Sequence, residues 1–259
     1  MKTVIDMIKF FRHIRRSLIQ ENKMGKYFKY AIGEIVLVVI GILIALQIND
    51  WNDQRKLKQQ EQTYYCKISE DLKTDIENVN RALVSLKERK ITTKRFLTNL
   101  LKIQEDKTIL LQDYLSAIRA YDYIPTKAAI VDITSSGKLE NLKNSALKNE
   151  ILNHYSQQDY ALKIIDKNDE PLFRQIFSYG DYTSFGIHEV PLYKDEYGDK
   201  LSSLLKSSEW QKDPDNALFK HIKDHMNMTV ILCTREQQLL EDIKTSSEEL
   251  FNKLSNYCQ

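Results

Sequence analysis

Two histidines spaced four positions apart, His221 and His225, come nearest in this sequence to a metal site. On a helix they share one face, a spacing that suits metal coordination. The metalloprotease pattern requires Glu directly after the first histidine, but Ile222 stands there, and Asp224 points to another face. We interpret the pair as residues near a helix seam and keep a metal-dependent hydrolase as an alternative. No cofactor is expected.

Motifs for nucleophilic or nucleotide chemistry are absent from the sequence. It contains no Gly-x-Ser-x-Gly, no Walker loop, no Gly-x-Gly-x-x-Gly and no Cys-x-x-Cys. The residues therefore predict that the protein is not an enzyme.

An aromatic-rich stretch over residues 171–198 breaks the helical pattern, because it holds five of the eleven Gly and Pro residues. An irregular loop on a helical frame often carries recognition. The candidate recognition residues are Tyr179, Tyr182, Phe185, Tyr193 and Tyr197. The other interpretation is that these rings form a small core beneath the loop. A short hairpin near 182–190 is also predicted.

Three cysteines are too few for a disulfide-stapled scaffold. Cys66 and Cys233 lie on the two longest predicted helices, so a bridge between them is one hypothesis, and it leaves Cys258 free. Three independent thiols are the other.

An apolar segment near the start of the sequence is its most informative stretch. Residues 31–48 include twelve Leu, Ile or Val and one charge, Glu34. Eighteen helical residues cover about 27 Å, close to the thickness of a bilayer core. Phe28 and Tyr30 precede the segment and Trp51 follows it, as in an aromatic belt. The prediction is a transmembrane helix, with a buried core helix as the alternative.

The charges on either side of this segment predict its orientation. Residues 1–30 carry a net charge of +6, residues 31–48 carry −1 and residues 49–259 carry −3. Positive flanks stay in the cytoplasm, so we predict a cytoplasmic basic tail over 1–30, an uncleaved inner-membrane anchor over 31–48 and a periplasmic domain over 49–259. Apolar residues at helical spacing within 4–19 predict an amphipathic helix on the lipid surface. The domain has no basic bias, so nucleic-acid binding is not expected.

Glu34, Gly41 and Ala45 lie within about 20° of one another at 100° per residue. Small residues four apart let a second helix approach closely, and a carboxyl on the same face can bond to it. We expect a membrane-helix contact there. The alternative is that Glu34 reaches the headgroups and the small residues are incidental.

The remaining sequence predicts an all-α bundle with long first and last helices, the first continuing from the membrane helix. No Gly or Pro occurs between Ile42 and Ile124, and alternating strand patterns are absent. Breaks are predicted near 91–93 and before Pro171. Further expected helices cover 94–104, 109–121 and 127–136. Gly137 is expected as a C-cap, Asn144 as an N-cap, and Asp213-Pro214 as the start of the last helix.

The N-terminal part of this sequence resembles that of a family of single-pass Gram-negative bacterial membrane proteins of unknown function. The resemblance covers Tyr30–Ile35, Ile40–Ile48 and the following Trp51-Asn52. Ser135–Leu139 and His154-Tyr155 are similar to a turn and a helix end of that family, with His154 where the family has Tyr. The resemblance implies membrane placement and a helical domain, and it implies no catalytic residue.

Taken together, these features favour a membrane-anchored, non-enzymatic interaction or scaffold protein. The expected partners are the lipid bilayer and either a membrane protein or a second copy. The alternative is a ligand-binding or sensory domain that acts through a membrane partner.

Overall fold

A computed structural model of the chain describes Arg12, Arg16 and residues 24–102, 106–119, 122–176 and 178–258. The side chains of Met24 and Tyr27 lie outside the description. The amphipathic helix predicted over 4–19 also lies outside it, apart from Arg12 and Arg16.

The described residues form an all-helical fold without strands, as the sequence predicts. From residue 24 onwards the described residues contain seven α-helices: α1 Met24–Leu101, α2 Lys107–Ala117, α3 Ala128–Ser135, α4 Ser145–Ile176, α5 Tyr182–Phe185, α6 Pro191–Leu204 and α7 Ala217–Ser255. Three 3₁₀ turns lie between them, at Lys138–Asn141, Ile187–Glu189 and Trp210–Lys212. The first and last elements of the domain are long, which confirms that part of the prediction.

The chain divides into two compact units, residues 1–60 and residues 61–259. The second unit holds three apolar core clusters. One surrounds Ile68 and Ile151, one surrounds Leu111 and Trp210, and one surrounds Val79 and Leu240. Each cluster includes residues of α1 and α7. Burial of apolar area therefore fixes these two helices along the length of the unit.

Two helix ends follow the local signals. Asn144 caps α4, with its side-chain oxygen accepting a hydrogen bond from the Leu147 amide at 3.1 Å. Gly137 takes a left-handed conformation with φ 69° just after α3, as a residue following a helix end often does.

Two predicted helix breaks are wrong. Helix α1 runs through residues 91–93 to Leu101, because Phe96 and Leu100 are fully buried and outweigh the weak helix propensity of Thr93. Helix α4 continues past Pro171 to Ile176. Pro171 removes one helical hydrogen bond, which destabilises the helix. Burial of the next side chain, Leu172, favours the continued helix and offsets that loss.

Two other predictions are corrected. Asp213 accepts a hydrogen bond from the Asp215 amide in a turn, and α7 begins at Ala217 with Asn216 as its cap. The predicted hairpin at 182–190 is instead the short helix α5 followed by a 3₁₀ turn. Gly186 reverses the chain between them with φ 91°.

Candidate functional site

The apolar segment of α1 is unburied. An 18-residue window within the helix from Phe28 to Leu101 has a mean hydropathy of 2.6, and none of it is buried in the chain. This is the single helix among the described residues that is long and apolar enough to cross a membrane. Trp51 and Tyr30 are both more than half exposed. By length and composition, this helix could therefore span a membrane.

The face predicted to contact another helix stays accessible. Glu34 is partly buried, whereas Gly41 and Ala45 are exposed. A Cβ added at Gly41 would meet nothing within 4 Å. Because α1 is continuous here, the three residues keep the shared helical face that their spacing implies.

Both histidines of α7 contact Tyr179. His225 Nδ1 lies 2.7 Å from the Tyr179 hydroxyl, which lies 2.8 Å from the Tyr114 hydroxyl. His221 packs edge-on against the Tyr179 ring, and its Nε2 lies 3.3 Å from the Ser178 hydroxyl. Burial lowers the pKa of His225 to about 4, so the ring is neutral at pH 7.

These contacts give both histidines hydrogen-bonding partners within the protein. Among the described residues, no group of three His, Cys, Asp or Glu side chains is placed to hold a metal ion.

The candidate aromatic residues divide into two groups. Phe185 is 1% exposed and packs with Trp210 in the core, and Tyr179 and Tyr193 pack against the same cluster. Tyr182 and Tyr197 are each 46% exposed. Three of the five candidate rings therefore belong to a local core, and two face solvent. The stretch 171–198 is mainly helical, so the predicted irregular loop is wrong. Phe177 lies outside the described residues.

Lys107 holds this aromatic segment against α2. Its side chain is 7% exposed, and its ammonium forms an ion pair with Glu189 at 2.8 Å. It also donates to the Ser207 hydroxyl and to the Ser208 carbonyl. A buried ammonium has three hydrogens to satisfy, and these acceptors satisfy them.

A second buried polar group lies near the middle of α7. Glu236 is 9% exposed. Burial raises its pKa to about 7, and the negative charge of Asp169 adds to the shift while Arg89 opposes it. Arg89 is itself buried and donates through Nε to the Ala117 carbonyl at 2.8 Å.

A cavity that the sequence analysis did not predict lies between α4 and α7. It has a volume of about 240 Å³ and is mainly apolar. Its buried lining residues are His154, Gln158, Ala161, Leu239 and Ile243. The exposed residues Gln157, Tyr160 and Asp242 also line it, so the cavity reaches the surface.

Gln158 is fixed by a buried hydrogen-bond network. Its amide nitrogen donates to Asp75 at 2.8 Å and to the Tyr123 hydroxyl at 2.7 Å. Tyr123 donates to the same carboxylate at 2.7 Å, and the Thr126 amide donates to its other oxygen. Because a carboxylate accepts hydrogen bonds, the nitrogen of the Gln158 amide must point towards Asp75.

The sequence could have indicated this site only through one face of α4. His154, Gln158 and Ala161 recur at spacings of four and three. That pattern is also typical of any helix in contact with a neighbour. Prediction of the cavity would therefore have required knowing which residues of α7 face this side of α4.

Cys66 pairs with Cys258, across 192 positions, in a disulfide bond. The Cα atoms lie 5.4 Å apart, within the usual range for such a bond. The predicted Cys66–Cys233 bridge and the three free thiols are both wrong. Cys233 is free and buried in the core.

The comparisons with known proteins identify one family. Residues 34–183, more than half of the chain, match a family of unknown function, DUF6090. The match covers most of the apolar segment and the two later segments, around Gly137 and His154, that the resemblance rests on. No curated protein and no solved structure matches the chain. The chain therefore belongs to this family of unknown function, DUF6090.

Proposed function

We propose that the protein is an inner-membrane anchor that presents a helical interaction domain to the periplasm of a bacterial cell. Residues 1–30 stay in the cytoplasm, residues 31–48 cross the bilayer and residues 49–259 form the periplasmic domain. The observation that carries this proposal is the 18-residue apolar window of α1, of which no part is buried. A core helix of a soluble protein would bury such a window.

The disulfide also supports the proposal that the domain lies on the periplasmic side of the membrane. Cys66 and Cys258 both belong to the unit of residues 61–259. Disulfides persist in oxidising compartments such as the periplasm and are reduced in the cytoplasm. The excess of Lys and Arg before the apolar segment favours the same orientation.

The contact that we assign to the membrane segment is with another helix. Gly41 and Ala45 allow two helix backbones to approach closely, and Glu34 lies on the same face. The partner is a membrane protein or a second copy of this chain. Tyr182 and Tyr197, the two exposed rings among the candidate recognition residues, offer a further contact surface.

Protease accessibility tests the placement. The full chain is expressed in a Gram-negative host with a tag at each end, and protease is added to intact spheroplasts. We expect digestion of residues 49–259, survival of the N-terminal tag, and retention of the chain in membranes washed with alkaline carbonate. A chain that washes off, or a domain that is digested only after lysis, contradicts the proposal. A mature protein lacking residues 1–48 would show a cleaved signal sequence instead of an anchor.

One observation favours a second function, a ligand-binding domain that acts through a membrane partner. The cavity between α4 and α7 has the size and composition of a small-molecule site.

A further inference from the structure

Two of the residues that line the α4–α7 cavity each carry a buried polar atom that has no hydrogen-bonding partner among the described residues. The atoms are Nε2 of His154 and Oε1 of Gln158. Both residues line the cavity and are at most 4% exposed. Buried polar atoms are nearly always hydrogen-bonded, since an unmade bond destabilises the folded state. These two atoms therefore indicate that something outside the chain completes the site.

Neighbouring contacts fix the chemistry of each atom. Asp75 and Tyr123 already use the hydrogens of the Gln158 amide nitrogen, and Oε1 carries none, so Gln158 can offer a further partner only an acceptor. His154 Nδ1 lies 2.7 Å from the Ser246 hydroxyl, which orients the ring and leaves Nε2 to a partner. Burial lowers the pKa of His154 to about 4, so at pH 7 the ring is neutral.

The buried part of the cavity selects against a charged ligand, because the carboxyl group among the lining residues, that of Asp242, is exposed to solvent. Ala161, Leu239 and Ile243 form its apolar wall, and none of the five buried lining residues carries a charge at neutral pH. Burial of an unpaired ion in such surroundings is strongly unfavourable. A cavity of about 150 Å³ already accommodates benzene in another protein, and this one is about 240 Å³.

We propose that the α4–α7 cavity binds a small neutral molecule with an apolar body and a hydroxyl or N–H group, which donates to Gln158 Oε1 and lies against His154 Nε2. The proposal rests on residues of the domain alone, so it holds or fails independently of the membrane placement.

A matched pair of probes tests it. 4-Fluorophenol and fluorobenzene have similar ring sizes, but only the first has a donor. The full chain, in lipid nanodiscs and labelled at Leu and Ile methyl groups, is titrated with each probe. The free concentration of each probe is read from its aqueous ¹⁹F signal. An apolar cavity without recognition groups prefers the more apolar fluorobenzene.

We expect 4-fluorophenol to shift the Leu239 and Ile243 methyl signals, to leave unchanged the signals of Leu100 and Leu111, which belong to another core cluster, and to bind at least tenfold more tightly than fluorobenzene. Equal or tighter binding of fluorobenzene overturns the proposal, because the polar atoms would then play no part. No binding of either probe also overturns it and indicates that ordered water satisfies the two atoms.

Two variants locate the site. Ala161→Leu fills the cavity and should abolish 4-fluorophenol binding, whereas Ala146→Leu makes the same change on an exposed part of α4 and should leave it intact. Circular dichroism shows whether each variant folds. If Ala161→Leu does not fold, His154→Phe keeps an aromatic ring and removes Nε2. That change should reduce the preference for 4-fluorophenol at least threefold, and an unchanged preference overturns the role of His154.

Discussion

The sulfur atoms of Cys66 and Cys258 join two positions that are 192 residues apart in the sequence. One lies in α1 and the other just beyond α7. The bond therefore closes nearly the whole domain into a loop, between its first helix and its last. In the same region Gln62 donates a hydrogen bond to the Tyr257 carbonyl at 2.8 Å, and Tyr65 packs on the Tyr257 ring.

Removal of this bond should destabilise the domain. A cross-link that closes a loop of this length restricts the unfolded chain, and its loss typically costs about 2–5 kcal/mol. We expect Cys66→Ser and Cys258→Ser to lower the free energy of unfolding by that amount in denaturant titrations. Cys233→Ala is the control for gel mobility, since its thiol is free. Wild type and this control should shift on reduction, and the two Ser variants should not. A reduction-insensitive wild type would contradict the pairing.

A substitution at Gly41 should weaken the proposed membrane contact. A photoreactive amino acid at Val38, on the same face of α1, captures a neighbouring helix in native membranes. We expect Gly41→Ile to reduce the yield of the captured product severalfold, because a branched side chain keeps the backbones apart. Gly33→Ile is the matched control. It lies in the same segment, about 100° from Glu34, and also meets nothing within 4 Å. Equal losses for both variants would refute the assigned face.

Glu236 should make the domain less stable as the pH rises. Its pKa is about 7 in the folded protein and near 4.5 ordinarily. Below 4.5 the carboxyl is protonated in both states. Between 4.5 and 7 the unfolded chain loses the proton first, so stability falls, and above 7 the full penalty remains. We expect Glu236→Gln to be about 1–3 kcal/mol more stable than wild type at pH 8. At pH 4.5 the difference should vanish in chemical denaturation, and a difference independent of pH would contradict this assignment.

Gly186 should tolerate substitution worse than Gly137. Both have positive φ, 91° and 69°. A Cβ at Gly186 would lie 3.1 Å from Ser207 Cβ and 3.3 Å from Lys107 Cε, whereas one at Gly137 would meet nothing within 4 Å. We expect Gly137→Ala to cost about 1 kcal/mol from backbone strain alone. Gly186→Ala should cost about 2–3 kcal/mol, because the close contacts add to that strain. Thermal unfolding of the two variants gives the comparison, and equal losses would show that the neighbours adapt freely.

Local signals predicted those parts of the fold that depend on neighbours in sequence. Asn144 caps a helix by accepting a hydrogen bond from the third amide after it. Gly137 follows a helix end because glycine adopts the left-handed conformation readily. Both features were therefore predictable. The continuity of α1 and α4 was not. Phe96 and Leu172 are buried by residues far away in sequence, and that packing overrides weak breakers such as Thr93 and Pro171.

The disulfide and the cavity depend on how α1, α4 and α7 are aligned. Cys233 and Cys258 both mark the last helical region, and about 35 Å of helix separates them. The spacing of apolar residues shows which face of a helix is buried. It does not show how the helix is aligned along its axis with a neighbouring helix. The position of Cys66 against Cys258, and of His154 against Ser246, needed that alignment.

Two kinds of interaction stabilise different parts of the domain, apolar packing and the polar contacts of the buried Lys107 ammonium. The core between α1 and α7 consists of closely packed apolar side chains, whereas the segment with the exposed rings is held in part by one cation and its oxygen acceptors. Phe185 and Val190 also tie this segment to the apolar core. Loss of the ammonium contacts should therefore loosen the turn around Glu189 and Ser207 and speed its amide exchange by local opening, while the segment itself stays attached.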